Sequence, residues 1–525
     1  MQRFLADQIN EQTVKRCQPM TRFSALSGLI GYNWIQQPPD PASSAEDRFC
    51  VIPAATSIAI AGGDSMTPAE LGSLHPFCGG CSMKRQLVIG FVLFVFGFVG
   101  SCLGADGQKV VVIHAGQLFA GNSDGLLSNQ VIVIEGDRIA EVGAAGSVKI
   151  PAGAQEIDLG KATVLPGLID GHAHMFKSQA LGLNPRMFLE NSWQYRTILA
   201  VVNVKTDLEA GFTTERDMMS VGAMYSDTDV RRAINEGVIP GPRLQVATVA
   251  LIGTGWGEGY GAVRFSPEVT APMGARAIDS PWEGRKAVRE NIKYGADFIK
   301  VFADKPEGTH FQPDGRLAIT PSMTLEEEKA IVDEAHRQRV KAACHAWGGT
   351  PLRDSIEVGC DSIEFGTDFD QEWLIKLAEK GIFLTMELAN GKAEEQADLK
   401  KTGGQYSRAA MQKATLQKAL KAGVKIAFSS NPASGSLDHG QQAKELEYLV
   451  NYGMKPAQAL HAATTVNAEM MGWQDRVGSI EKGKYADIIA VSGNPLNDIT
   501  ELQRVKFVMK GGEIVRNDLS RSEQH

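Results

Sequence analysis

Gly171-His172-Ala173-His174 directly follows the largely apolar run Val164-Leu165-Pro166-Gly167-Leu168-Ile169-Asp170. Side chains alternate along an extended strand, so His172 and His174 point to one side of it. Two imidazoles on one side offer two ligands to one metal ion at a strand end. The plainer reading is a pair of surface histidines. The apolar run reads as a buried strand, with the Pro-Gly break marking its beginning. Lys300 stands within the apolar strand candidate 295–301, and His345 ends another in Ala343-Cys344-His345-Ala346. Burying a lysine is expensive: its ammonium needs a partner, or its neutral amine a function. The plainer reading of Lys300 is a salt-bridged residue near the rim.

Positioning these residues takes a set of strands that end together. Candidate strands fall at 164–169, 212–216, 243–251, 298–302, 341–345, 362–365, 382–388 and 424–429. Helical patterns intervene. In the segment 324–339, Thr324 and Glu327 have capping-box spacing, and Ile331, Val332 and Ala335 recur along one face. Eight strand–helix units predict an α/β fold of the (β/α)8 type over 164–474, whose chemistry sits at the carboxyl ends of the strands. Short β-rich pieces at 110–113 and 131–134, a Gly136-Asp137 turn signal, and matching pieces at 483–491, 505–509 and 513–515 predict one small β-sandwich domain. Residues 106–163 and 475–525 would build it from both ends of the mature chain.

The 525 residues are 43% hydrophobic and 22% charged, which fits a globular protein with a sizeable core. A net charge of −8 gives no basic field for nucleic acid. No Walker loop and no dinucleotide fingerprint is present. Met83-Lys84-Arg85, the apolar segment 87–103 and the small residues before Ala105 have the layout of a secretory signal peptide over 83–105. Residues 1–82 then read as a poorly structured extension arising from start-site choice, or else as a true extension before a signal anchor. Either way the chain is expected to be exported, to the periplasm or outside the cell. Val99-Gly100-Ser101-Cys102 loosely resembles a lipobox and would allow a lipid anchor on Cys102. Cys78-Gly79-Gly80-Cys81 has metal or redox spacing but no second pair, and reads as incidental. Of seven cysteines only Cys344 and Cys360 lie beyond the leader, so disulfides do not build this scaffold.

The order of these motifs resembles the amidohydrolase superfamily, in particular its imidazolonepropionase and prolidase-like group of metal-dependent hydrolases. The likeness spans about residues 109–518. It includes the 165–174 run, Gly211-Phe212-Thr213-Thr214-Glu215-Arg216-Asp217, Gly241-Pro242-Arg243, the Lys300 and His345 strands and Asp361-Ser362-Ile363-Glu364. Further on it includes Ala459-Leu460-His461-Ala462-Ala463-Thr464 and the stretch 478–487. The resemblance implies that His172 and His174 bind one divalent metal, with zinc expected. It implies that Lys300, carbamylated by carbon dioxide, bridges to a second metal bound by His345. A carbamate turns a misplaced cation into an anionic oxygen ligand.

Two positions depart from the family pattern. Phe365 stands where a metal-binding histidine is expected, and it has no lone pair to donate. Asn431 stands at the general-base aspartate position and cannot take a proton at useful pH. Asp438 is the candidate substitute base. His439, and Trp256 and Tyr260 in the glycine-rich loop 253–261, are candidate substrate contacts. His461 reads as a packing residue, and His114, His310 and His336 as structural. The expected activity is hydrolysis of a carbon–nitrogen bond in a small substrate such as a dipeptide or cyclic amide. A homo-oligomer fits this reading, as does a membrane link made only through the signal peptide or lipid anchor. A catalytically impaired barrel that binds a ligand or partner is the alternative. A single-metal isomerase or lyase is a third.

Overall fold

The computed structural model describes residues 109–178, 187–255 and 274–519. The extension 1–82, the leader 83–105 with Cys102, and the loop residues Trp256 and Tyr260 lie outside the described residues.

Four strands open the described chain: Val110–Leu118 (β1), Leu127–Glu135 (β2), Arg138–Ala144 (β3) and Gln155–Pro166 (β4). Leu168–Ala173 (β5), Phe212–Asp217 (β6), Arg243–Val246 (β7), Ala250–Ile252 (β8), Ala275–Ala277 (β9) and Phe298–Phe302 (β10) follow. Asp304–Phe311 (β11) and Leu317–Pro321 (β12) form an antiparallel pair. Lys341–His345 (β13), Ser362–Glu364 (β14), Phe383–Thr385 (β15) and Ile426–Ala427 (β16) continue, and Ile488–Val491 (β17), Phe507–Lys510 (β18) and Glu513–Asn517 (β19) close the chain.

Both ends of the described chain meet in one sheet of order β19-β18-β17-β4-β1-β2-β3. Its apolar residues cover both faces: Ile113, Ile132, Val164 and Phe507 belong to one cluster, and Val112, Val131 and Val133 to another. The remaining strands form two parallel sheets, β5-β6-β7 and β16-β15-β14-β13-β10-β8-β9. Helices such as Trp193–Glu209, Pro281–Lys293 and Leu325–Arg337 alternate with them. Thr324 and Glu327 complete both halves of the capping box, and Ile331, Val332 and Ala335 are buried as their spacing requires. Among the described residues, no helix is long and apolar enough to cross a membrane.

Two expected strands are corrected. The run 164–169 is not one strand: Val164 pairs antiparallel with Ala490 in the terminal sheet, and β5 begins only at Leu168. Pro166 has no N–H to continue a ladder. A Cβ on Gly167 would lie 2.0 Å from Thr213 Oγ1, so the chain turns there on glycine. The expected strand 243–251 divides into β7 and β8 at Thr248, whose φ is 65°. A left-handed residue cannot continue an extended ladder.

Candidate metal centre

His172 lies on β5 and His174 just beyond it. Both are buried, with ring centroids 5.3 Å apart. Gly171 between Asp170 and His172 has no room for a side chain, since a Cβ would lie 2.8 Å from the carbonyl oxygen of Phe428. That carbonyl accepts the Gly171 N–H at 3.0 Å, and the N–H of Asn431 donates to the His172 carbonyl at 2.9 Å. Lys300 sits mid-strand on fully buried β10, and His345 ends β13, paired in register with Phe302.

Glu364 on β14 sets the tautomer of His172. Its Oε2 accepts a hydrogen bond from Nδ1–H at 2.7 Å, while Oε1 accepts Arg216 Nη2 at 2.6 Å and Oε2 also accepts the Thr385 hydroxyl at 2.7 Å. The Nε2 lone pair of His172 is thereby aimed away from Glu364. Asp304 does the same for His345, accepting its Nδ1 proton at 2.6 Å. Among the buried side-chain atoms of the described residues that have no hydrogen-bond partner are His172 Nε2, His174 Nδ1, Lys300 Nζ and Asn431 Oδ1. Each such group costs about 1–3 kcal/mol when left unsatisfied. This donor set of imidazole nitrogens, an amide oxygen and a lysine fits a divalent cation.

Electrostatics agree with that fit. Burial, then the neighbouring Lys300, pushes His172 down to about 3. Burial and Lys177 hold His174 well below its usual range. Both imidazoles stay neutral and keep their lone pairs near pH 7. Burial lowers Lys300 to about 8. Burial would raise Glu364, but Arg216 and the His172 hydrogen bond outweigh it and hold the carboxylate below its usual range. Asp170 accepts the backbone N–H of His172 at 3.0 Å, and burial lifts it to about 7.

Phe365 and Asn431 both take left-handed backbone, with φ of 65° and 49°. Asparagine tolerates that conformation, whereas a bulky phenylalanine seldom adopts it. The Phe365 ring lies between the two histidines, 4.4 Å from His172 and 4.8 Å from His345 by centroid. Asp438 is half-buried, and its Oδ1 accepts the His439 N–H at 3.0 Å. Among the described residues no hydrogen bond joins it to the four candidate ligands. His439 has both nitrogens engaged, with Asp207 at 2.6 Å and the Lys177 carbonyl at 3.1 Å. His461 packs on Phe119 and bonds Asp124 and Thr465. His114 and His336 pair with Glu156 and Asp361.

Reading the sequence missed Glu364, Arg216, Asp304, Trp347 and Glu387. The first two lie within quoted motifs, but nothing in their spacing assigns them a partner. Glu387 follows β15, and its Oε1 is buried without a hydrogen-bond partner. Burial raises it to about 7. It lines a 140 Å3 cavity with Phe365, Trp347 and Arg408. A larger cavity of 500 Å3 adjoins, sharing Trp347, Glu394 and Arg408, with His310 on its wall.

The amidohydrolase family profile matches residues 163–515. This chain belongs to the amidohydrolase family. Ochratoxinase from Aspergillus niger is 30% identical, over 78% of this chain and 88% of that protein. Imidazolonepropionase from Geobacillus kaustophilus is 25% identical, over 75% and 92% respectively. Among solved structures, a Xaa-Pro dipeptidase with methionine bound in its active site is 32% identical with a TM-score of 0.67. That match covers 78% of this amidohydrolase and all 100% of the other chain. The A. niger ochratoxinase structure matches with a TM-score of 0.66 at 27% identity, over 78% and 96%.

Proposed function

We propose that this amidohydrolase is an exported, metal-dependent hydrolase that cleaves a carbon–nitrogen bond in a small amide, a dipeptide or a cyclic amide. Four residues carry this reading, each with a buried polar atom that lacks a partner: His172 and His174, whose rings lie 5.3 Å apart, Asn431, bonded through its backbone to His172, and Lys300. His172, His174 and Asn431 would hold the cation, with Lys300 and His345 beside it, and zinc suits the imidazole donors. Such a cation supplies Lewis acidity and lowers the pKa of a bound water towards about 7. Glu364 holds His172 in its ligating tautomer, and Asp304 fixes the tautomer of His345. Carboxylation of the Lys300 amine would release a proton and give that buried nitrogen an anionic oxygen in place of a missing partner. The likeness to an ochratoxinase, an imidazolonepropionase and a Xaa-Pro dipeptidase supports a small amide as the substrate class.

The two parallel sheets are proposed to close as a (β/α)8 barrel. The backbone bonds from Gly171 to Phe428 and from Asn431 to His172 tie β5 to the segment after β16. The terminal sheet is proposed to fold as the accompanying β-sandwich. Export is proposed from the leader pattern at 83–105. The buried Cys344–Cys360 disulfide supports it, because such bonds persist in oxidising compartments.

A second reading, a non-catalytic barrel that keeps a ligand site, is favoured by the Phe365 ring against both histidines and by the amide at Asn431. Elemental analysis of the chain from Ala105 onward, followed by assays on dipeptides and cyclic amides, tests the proposal. Near-stoichiometric metal, lost in His172→Ala and His174→Ala, with turnover that needs it, is expected. Protein that stays metal-free after dialysis against zinc and bicarbonate overturns it. Metal without turnover, with hydrolysis appearing only in the Phe365→His/Asn431→Asp double variant, selects the second reading.

A further inference from the structure

We infer that this centre takes one divalent cation rather than two, because Trp347 and Phe365 together close the second position; this rests on the metal-dependent reading above. His345 has two nitrogens. Nδ1–H donates a hydrogen bond to Asp304 at 2.6 Å, which leaves one lone pair, on Nε2. That lone pair accepts the indole N–H of Trp347 at 3.1 Å. The other oxygen of Asp304 accepts the backbone N–H of Trp347 at 2.6 Å. A single buried carboxylate thus fixes both the tautomer of His345 and the place of the residue that caps it. A cation approaching His345 must first break this arrangement.

Phe365 completes the closure. Its ring meets His345 edge-on, 4.8 Å away at 70°, and also lies against His172. It offers no lone pair, and its position is set by a backbone conformation that bulky residues rarely adopt. Lys300 faces the same aromatic lining, with Nζ 4.8 Å from the Phe302 ring and 5.6 Å from the Phe365 ring. Rings of this kind attract a cationic ammonium but donate no lone pair to a metal ion. His172 Nε2, His174 Nδ1 and Asn431 Oδ1 remain unpartnered, enough for one ion and not for two. Trp347 and Phe365 also line one 140 Å3 cavity, so the closed position forms an aromatic wall facing it.

Zinc titration of the full mature chain with elemental analysis tests this, together with electron paramagnetic resonance of the cobalt form. The wild-type chain should take one equivalent and give the signal of an isolated cobalt ion. Phe365→His with Trp347→Phe supplies a donor and frees the His345 lone pair, so the double variant should take two equivalents and show a magnetically coupled pair. Two equivalents in the wild-type chain would overturn the inference while leaving the metal-dependent reading intact. A double variant that folds and stays at one equivalent would also overturn it. No equivalent at all in the wild-type chain would remove both. The wild-type stoichiometry decides the matter even if the double variant fails to fold.

Discussion

Glu364 holds His172 and Arg216 at once, one through each carboxylate oxygen, at 2.7 and 2.6 Å, and all three side chains are buried. Removing its charge leaves Arg216 uncompensated and loosens the His172 ring. Breaking a buried pair from one side costs about 3–5 kcal/mol. Glu364→Gln should therefore lower unfolding stability by that amount in denaturant titration. Metal affinity, read with a competing chelator, should fall about 10–100-fold, the usual effect of losing such an orienting partner. Unchanged affinity would mean that Glu364 serves the fold alone.

Asn431 carries the second expectation. Its φ of 49° suits aspartate as well as asparagine. Asn431→Asp should fold normally and put a carboxylate where an unpartnered, buried amide oxygen now stands. If a missing proton acceptor limits turnover, kcat on a hydrolysed dipeptide should rise about 100-fold or more. No change in kcat would show that another group already takes the proton.

Arg243 at the start of β7 grips Asp487 through two bonds of 2.7 and 3.0 Å and lies 3.5 Å from the Tyr485 ring. It links a parallel strand to the terminal sheet, with Asp487 almost fully buried. Arg243→Ala should cost about 2 kcal/mol. Arg243→Lys should recover less than half of that, because an ammonium cannot make the forked contact. Equal stability of the lysine variant and the native chain would exclude the fork as the source.

Glu328 is buried, accepts the Ser355 hydroxyl at 2.6 Å, and is raised by burial from 4.5 to about 8. A carboxyl raised on folding contributes its stability in full below 4.5 and loses it as pH climbs through about 8. Glu328→Gln cannot ionise. Its melting temperature relative to the native chain should rise steadily from pH 5 to pH 8 and level off above. Parallel melting profiles at pH 5, 7 and 9 would show that Glu328 does not titrate on unfolding in this range.

The alternation of apolar strands with capped helices was legible because each element carries its own period. Thr324 with Glu327, and the buried face of Ile331, Val332 and Ala335, follow from local spacing. His172 and His174 share a side of their strand for the same reason, and Lys300 and His345 stood out as polar residues on apolar strands. The departures at Phe365 and Asn431 were legible too, once the family resemblance marked those positions for a histidine ligand and an aspartate base. Boundaries were less legible. The break between β4 and β5 depends on Gly167 meeting Thr213, and the break at Thr248 depends on a backbone angle.

Partnerships between distant residues were decided only in three dimensions. Glu364 and His172 are 192 positions apart, and His439 and Asp207 are 232 apart. No local pattern predicts which carboxylate will meet which imidazole, because that pairing depends on how strands lie side by side. The same holds for Trp347, two residues from His345, whose indole turns back onto the one lone pair left to it. The sequence by itself determined which residues could offer lone pairs, since that is fixed by covalent chemistry. The tertiary structure decided which of those lone pairs stay free, since that is fixed by the neighbours packing brings within hydrogen-bond reach.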